Sequence, residues 1–402
     1  MMNRLQIPEG VTDYYGDTAF QKRRCEGLLR KCFSLSGFDE VQTPTLEYYD
    51  TFRGEIGDTR EEATIRFFDQ DGRMLALRPD LTLPVARLVA ATKLAEKAVS
   101  RYFYIGDVYG TQEEYGIKRR QFTQAGCELF GAGGPDADAE IILTAIRSVL
   151  SLGISDFVVD IGHVGFVRAV CVQAGIPDAL MGRIGQLVDE KNEAALSALC
   201  QTHDISGTVC TQLVDLIYLF GEKEILSKAR NAYPYPACEA ILDHVERVIA
   251  IIESLKVPVC ISVDLGMVPN INYYTGMVFR GLSPLLGHSI LSGGRYDRLM
   301  EQFGRPVEAS GFALGVENVL HVWNGGKEAL VQDPVEYLIG GTVPEEVHQK
   351  MQQCLREGHR SMLSYQKTQE GLRQEMEACG IEKGYFIGPS GPVSLEKGGE
   401  GA

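Results

Sequence analysis

One stretch limits the possible folds more than any other. Arg119 to Leu129 reads as a long strand in which Phe122, Gln124, Gly126 and Glu128 share one face, and Gln121, Thr123, Ala125 and Cys127 the other. A second long strand, Arg101 to Tyr109, precedes it across a polar loop that contains Gly110 and Gly116. A chain with two such strands in succession builds a sheet. A long amide and a carboxylate converging on a face opened by Gly126 suit an amino group or another small cationic ligand. A solvated polar sheet face gives the same alternation, and the spacing alone favours it.

The rest of the chain supplies helices around that sheet. Asp17 is placed to cap a helix whose apolar positions Cys25, Leu28, Leu29, Cys32 and Phe33 recur at helical spacing, with Gly37 as its stop. A short strand from Phe38 to Thr43 meets Pro44. Ile65 to Asp69 and Arg73 to Leu77 flank Asp71-Gly72, which predicts a hairpin with positive φ at both central positions. Thr82 is the expected N-cap of the next helix. From 164 to 250 helical segments dominate, and strands return at Val257 to Leu265, Tyr273 to Arg280 and His288 to Ser292. Gly293-Gly294 is read as a turn into a helix near Tyr296, and Gly311 to Leu314 as a strand running into another helix. After Gly325-Gly326 comes a strand–helix–strand–helix–strand module with a Gly- and Glu-rich end. These breaks divide the chain into a core of residues 1–163 and 251–325, a helical insertion of 164–250 and a small C-terminal α/β module of 326–402.

Charge narrows the function. The 402 residues carry a formal charge of −15, which argues against a chain whose main task is wrapping a phosphate backbone. No run of 18 apolar residues or leader-like start occurs, so a cytoplasmic protein without a membrane segment is expected. The 10 cysteines include no C-x-x-C pair, and several, such as Cys260 between Val259 and Ile261, sit among apolar neighbours. Reduced core thiols fit better than disulfides or zinc. No Walker A, G-x-S-x-G, H-E-x-x-H or zinc spacing occurs, so no cofactor or metal site is expected. Asp80 and Thr82 present acceptors at a hairpin exit, although on sequence alone helix capping by Thr82 and the helix dipole at Asp80 are the simpler account. In Tyr273-Tyr274-Thr275-Gly276, neighbouring strand positions face opposite ways, so one phenol is free to enter a pocket; aromatic packing is the plainer account.

Taken in order, these segments resemble the catalytic core of histidyl-tRNA synthetase, a class II aminoacyl-tRNA synthetase, over roughly residues 5–325. Ile7-Pro8-Glu9-Gly10-Val11-Thr12-Asp13 resembles that family's opening turn, and the Asp17 helix with Pro44 its first, dimer-forming motif. Gln121 to Glu128 is similar to the second motif. Tyr273 to Gly276 is similar to the histidine-specific segment, Gly293 to Asp297 to the glycine turn, and Gly311 to Glu317 to the third motif. The resemblance implies an α+β fold, an antiparallel sheet flanked by helices, and a histidine pocket formed by Asp80, Thr82, Gln124, Glu128, Tyr274 and Tyr296. Asp80 stands where the synthetases have a glutamate.

The departures are concentrated on the ATP side. Arginines that an active synthetase aims at ATP phosphates and transition-state charge are replaced by Gly110, Pro269 and Asn318, and an expected glutamate by Gln112. Acidic Glu113-Glu114 follows. Loss of one such preorganised cation typically costs roughly a hundredfold to a thousandfold in rate, so adenylation is hard to sustain without three. The stretch after Gly325-Gly326 is short for a synthetase's anticodon-binding domain. A pocket kept beside a lost ATP site resembles the ATP phosphoribosyltransferase regulatory subunit family. That resemblance implies no catalysis by this chain, a short-form catalytic partner in the first step of histidine biosynthesis, and L-histidine as feedback effector. It further implies dimerisation through the core, a hetero-octamer of four regulatory and four catalytic subunits, and no tRNA partner. The alternative is an active histidyl-tRNA synthetase or related amino-acid ligase with displaced catalytic residues. A tRNA-sensing pseudo-synthetase fits less well with the acidic 110–117 loop.

Overall fold

The computed structural model describes residues 5–53, 62–92, 98–110, 113–114, 117–269, 273–326 and 332–397. It divides into two compact units, Met1–Ala329 and Leu330–Ala402.

The larger unit is built on a nine-stranded sheet in the order Asp39–Glu40, Ser100–Tyr109, Gln121–Phe130, Ala309–Gly315, Ser289–Arg295, Met277–Leu282, Val158–His163, Cys260–Asp264 and Phe220–Gly221. Neighbours are antiparallel except Asp39–Glu40 with Ser100–Tyr109 and Val158–His163 with Cys260–Asp264. The sheet is therefore mixed, with the two long strands next to each other near one end. Its apolar face receives helices Gly16–Leu35, Gly134–Ser151 and Pro236–Ser254, which bury Phe33 and Ile146 against Phe103, Cys127 and Phe312. Phe33 sits 5.5 Å from Phe103 and 5.9 Å from Phe312, centroid to centroid. Burying one such ring contributes about 1.5–3 kcal/mol. Helices from 165 to 254 share this core with the sheet: Val167, Leu187 and Leu226 belong to the same buried cluster as Val159 and Ile161. The opposite face carries a second cluster, in which Tyr104, Tyr273 and Tyr296 meet Leu81, Val85 and Leu299.

Several local expectations give way to specific contacts. The first helix has Tyr15 as N-cap, not Asp17, because the Thr18 hydroxyl reaches back to the Tyr15 amide at 3.2 Å. The hairpin Arg66–Phe68 with Met74–Leu77 forms, but only Gly72 has positive φ, 78°. Asp69 closes the turn instead, its Oδ1 accepting from the amides of Asp71 at 2.9 Å and Arg73 at 2.8 Å. Gly293-Gly294 is no turn: the strand runs on to Arg295. A Cβ on Gly294 would lie 2.9 Å from the Tyr274 ring, so glycine is required there by close packing. Cys260 is exposed, because it opens its strand at the rim of the sheet. All ten cysteines are free thiols.

The smaller unit has a four-stranded sheet ordered Ser361–Leu363, Tyr337–Gly341, Lys383–Gly388 and Gly391–Glu396, the last strand antiparallel. Helix Gln369–Cys379 packs Leu372 and Met376 with Leu338 and Phe386, while helix Pro344–Arg356 packs Val347 and Cys354 with Ile339 and Ile387. Thr368 caps helix Gln369–Cys379 by accepting from the Gly371 amide at 3.1 Å, and Gly380 ends it at φ 68°. Strand Gly391–Glu396 closes the sheet, and most of the Gly- and Glu-rich end, residues 398–402, lies outside the described residues. Among the described residues no helix is long and apolar enough to cross a membrane.

Candidate functional site

Register places the site. Glu128 stands opposite Tyr102 on one side and Gly311 on the other, and Gln124 lies between Gly106 and Gly315. Each of these long polar side chains thus has a glycine beside it, which turns this sheet face into a trench. A Cβ on Gly311 would fall 1.7 Å from a Glu128 carboxylate oxygen, so only glycine lets the carboxyl lie flat there. Gly126 does not leave open space. The Tyr104 ring covers it, with its hydroxyl 2.6 Å from where a Cβ would stand.

Glu128 is 1% exposed. Tyr104 donates to Oε1 at 3.1 Å, and Tyr296 donates a short hydrogen bond to Oε2. Burial pushes the Glu128 carboxyl up to about 8, against the pull of hydrogen bonds from Tyr296, Thr82 and Tyr104, with Asp80 adding to the rise. Burial also raises both phenols well above their ordinary value. The result is a neutral acid at the closed end of a cavity, ready to lose its proton to a basic ring or to pair with a cation.

Asp80 and Thr82 are fixed by the entry to helix Thr82–Ala91. The N-cap position belongs to Leu81, not to Thr82; Asp80 Oδ1 accepts from the Leu83 amide at 3.0 Å and satisfies the helix start in its place. Thr82 is thereby released to face Tyr104, 3.4 Å away. Gln124 Oε1 accepts from the Leu81 amide at 2.9 Å, which orients the amide and leaves Nε2 to donate. Arg78 clamps this corner: its guanidinium donates to the carbonyls of Asp107 at 2.8 Å, Thr43 at 2.6 Å and Pro44 at 3.2 Å.

All six residues named from the sequence, Asp80, Thr82, Gln124, Glu128, Tyr274 and Tyr296, line one cavity of about 170 Å³. That is on the scale of a cavity that holds a single small ring. Tyr273 and Tyr274 both reach it, packed ring to ring at 5.1 Å, because the strand begins only at Met277 and the pair lies in the preceding turn. Gly110 and Asn318, two of the positions that lack an arginine, line the same cavity; Pro269 is not among its lining residues. Gln112 lies outside the described residues, while Glu113–Glu114 pairs with Ile117–Lys118 as a short ladder. Two lining or supporting groups escape sequence reading. Tyr104 becomes visible only through its register with Gly126, and Arg119 lines the cavity beside Asn318. No cluster of three or more His, Cys, Asp or Glu among the described residues is arranged to hold a metal.

With this geometry in place, comparison with known proteins is direct. The histidyl-tRNA synthetase family profile matches residues 10–319. An ATP phosphoribosyltransferase regulatory subunit of Acetivibrio thermocellus is 38% identical over 84% of this chain and 80% of its own. Another, from Thermoanaerobacter sp., is 36% identical over 83% of this chain and 87% of its own. Among solved structures, an ATP phosphoribosyltransferase regulatory subunit/histidyl-tRNA synthetase from Bacillus halodurans superposes with a TM-score of 0.81 at 25% identity, covering 96% of this chain and 98% of that one. Histidyl-tRNA synthetase from Nostoc sp. matches at 0.77 and 20% identity, covering 98% and 97%, which establishes the shared class II fold. The mixed sheet and its helices are therefore of the class II synthetase type, and the chain belongs to the family of ATP phosphoribosyltransferase regulatory subunits.

Proposed function

We propose that this chain is the non-catalytic regulatory subunit that a short-form catalytic subunit of ATP phosphoribosyltransferase requires, and that it binds L-histidine and transmits feedback inhibition. The observation that carries this reading is the asymmetry of one cavity. Its closed end keeps a buried carboxyl held by two phenols, while Gly110 and Asn318 occupy its other end where adenylation chemistry needs arginines. A receptor needs the first set and not the second.

Glu128 shares a proton with the imidazole of the bound histidine, Asp80 and Thr82 accept from its amino group, and the tyrosine rings exclude water around the ring. Inhibition then follows from linkage: histidine binds one arrangement of the assembly better than another, and the ratio of the two affinities sets how far the partner's activity falls. Dimerisation through the core and a hetero-octamer with the catalytic subunit complete the proposal. The protein acts in the cytoplasm and takes no tRNA.

The test is co-purification with the short catalytic subunit, followed by phosphoribosyltransferase activity with and without L-histidine. Stable association, activity only in the complex and inhibition by histidine are expected. A catalytic subunit fully active alone overturns the partnership, and robust histidine-dependent pyrophosphate exchange by this chain overturns the non-catalytic assignment.

A further inference from the structure

The ATP-facing end of the cavity is not stripped of positive charge. Arg119, half-buried just before strand Gln121–Phe130, lines it, and its guanidinium donates a short hydrogen bond to the Asn318 side-chain carbonyl. That acceptor is neutral. Among the described residues Arg119 enters no ion pair, since the nearby carboxylates are taken by other donors. Glu317 accepts from Lys22 at 3.1 Å, from Tyr14 at 3.3 Å and from the Thr123 amide at 3.0 Å. Asp107 accepts from Thr123 at 2.7 Å and Gln121 at 3.0 Å. Asn318 in turn sits against Gly315, which is paired with Gln124. The guanidinium therefore lines the cavity beside the Gln124 end of the trench, and among the described residues it has no carboxylate partner.

We infer that Arg119, oriented by Asn318, is the anchor for the carboxylate of the bound amino acid. The two ends of the trench are complementary to a two-ended ligand. Gln124 and Glu128 lie four residues apart on one strand, about 13 Å at roughly 3.3 Å per residue, with side chains from both ends narrowing the gap. A planar fork with donors to spare matches a carboxylate's two oxygens. One arginine in this place serves a single carboxylate and does not replace the three cations that a triphosphate requires. The inference rests on the histidine reading of the cavity and specifies how the ligand is oriented in it.

The test compares L-histidine with histamine, which has the ring and amino group but no carboxylate, by calorimetry on the full chain. Wild type is expected to prefer histidine by roughly tenfold to a hundredfold, the range of a charged hydrogen-bonded contact. Arg119→Ala erases that preference by weakening histidine and leaving histamine within about twofold. Asn318→Asp keeps the guanidinium but gives it a carboxylate partner, and it weakens histidine selectively as well. Equal loss of both ligands in the variants, or no loss of either, overturns the inference while leaving histidine binding intact. Absence of binding of either ligand to wild type overturns the histidine reading itself, and the inference with it.

Discussion

Replacing Glu128 by glutamine tests the centre of the site with little change in shape. The amide that Glu128→Gln introduces keeps one acceptor for Tyr104 or Tyr296 but carries no titratable proton, so the change removes charge and proton transfer and leaves packing in place. With its carboxyl at about 8, Glu128 is about nine-tenths protonated at pH 7. A free imidazole, with a pKa of about 6.5, is mostly neutral there, so the pair needs one shared proton and already has one. Histidine binding by wild type is then flat between about pH 6.5 and 8. It falls below that window because a proton must be released, and above it because one must be taken up. Glu128→Gln loses a charge-assisted contact of about 1.5–3 kcal/mol, or roughly tenfold to 150-fold in affinity at pH 7. It also loses the alkaline fall attributable to the ring contact, so the gap to wild type narrows about tenfold by pH 9. Calorimetry at pH 6, 7, 8 and 9 measures this, with histidine's own amino titration common to both proteins. Equal affinities, or parallel pH profiles, refute the assignment of Glu128 to the ring.

Other expectations follow from the same contacts. Because the folded Glu128 carboxyl holds its proton to a higher pH than an unfolded one, the folded state binds the extra proton between about 4.5 and 8. Stability in the absence of ligand therefore falls across that window, by at most about 5 kcal/mol. Glu128→Gln removes the slope, so its Tm gains on wild type as pH rises to 8, and unchanged parallel melting curves would contradict this. Gly311→Ala puts a methyl where the Glu128 carboxylate lies; it costs about 1–3 kcal/mol in urea unfolding and abolishes detectable histidine binding, whereas wild-type affinity would show the trench to be looser than described. Burial holds His163 neutral with its pKa lowered to about 4, and its Nδ1 accepts from the Gly165 amide at 3.1 Å. The unfolded state binds more protons between about pH 6.5 and 4, so acidification through that range removes at most about 3 kcal/mol of stability. His163→Gln flattens this acid limb, as urea titrations at pH 4.5 and 7 will show.

What the chain discloses in advance depends on how local the cause is. Alternation from Gln121 to Glu128 is a property of neighbouring residues, so the strand and the face that Gln124 and Glu128 share are legible without a fold. The same holds for the hairpin around Gly72, although Asp69 rather than Asp71 shapes its turn. The meaning of a glycine is not local. Gly293-Gly294 reads as a turn because turns need glycine, yet here it serves a strand that must lie against Tyr274 and Phe312 from elsewhere in the chain. Tyr104 and Arg119 share that limitation, since each acquires its role from a residue reached by pairing or folding, Gly126 for one and Asn318 for the other.

Glu128 shows why spacing alone favours a solvated sheet face. On an exposed sheet a glutamate four positions after a glutamine is an ordinary solvated group, and nothing in the strand's own sequence separates that case from this one. The difference is supplied by Gly311, which admits the carboxyl, and by Tyr104 and Tyr296, which satisfy it once water is gone. Those three residues come from two neighbouring strands and the turn before helix Asp297–Gln302. Burial then changes the chemistry from a permanent anion to a proton-sharing acid. A permanent anion would attract any small cation at pH 7, whereas a neutral acid that is costly to ionise answers only a ligand that supplies a base or a well-placed charge. Selectivity for a weakly basic ring thus arises from long-range packing around a residue whose position, but not whose character, is written in the strand.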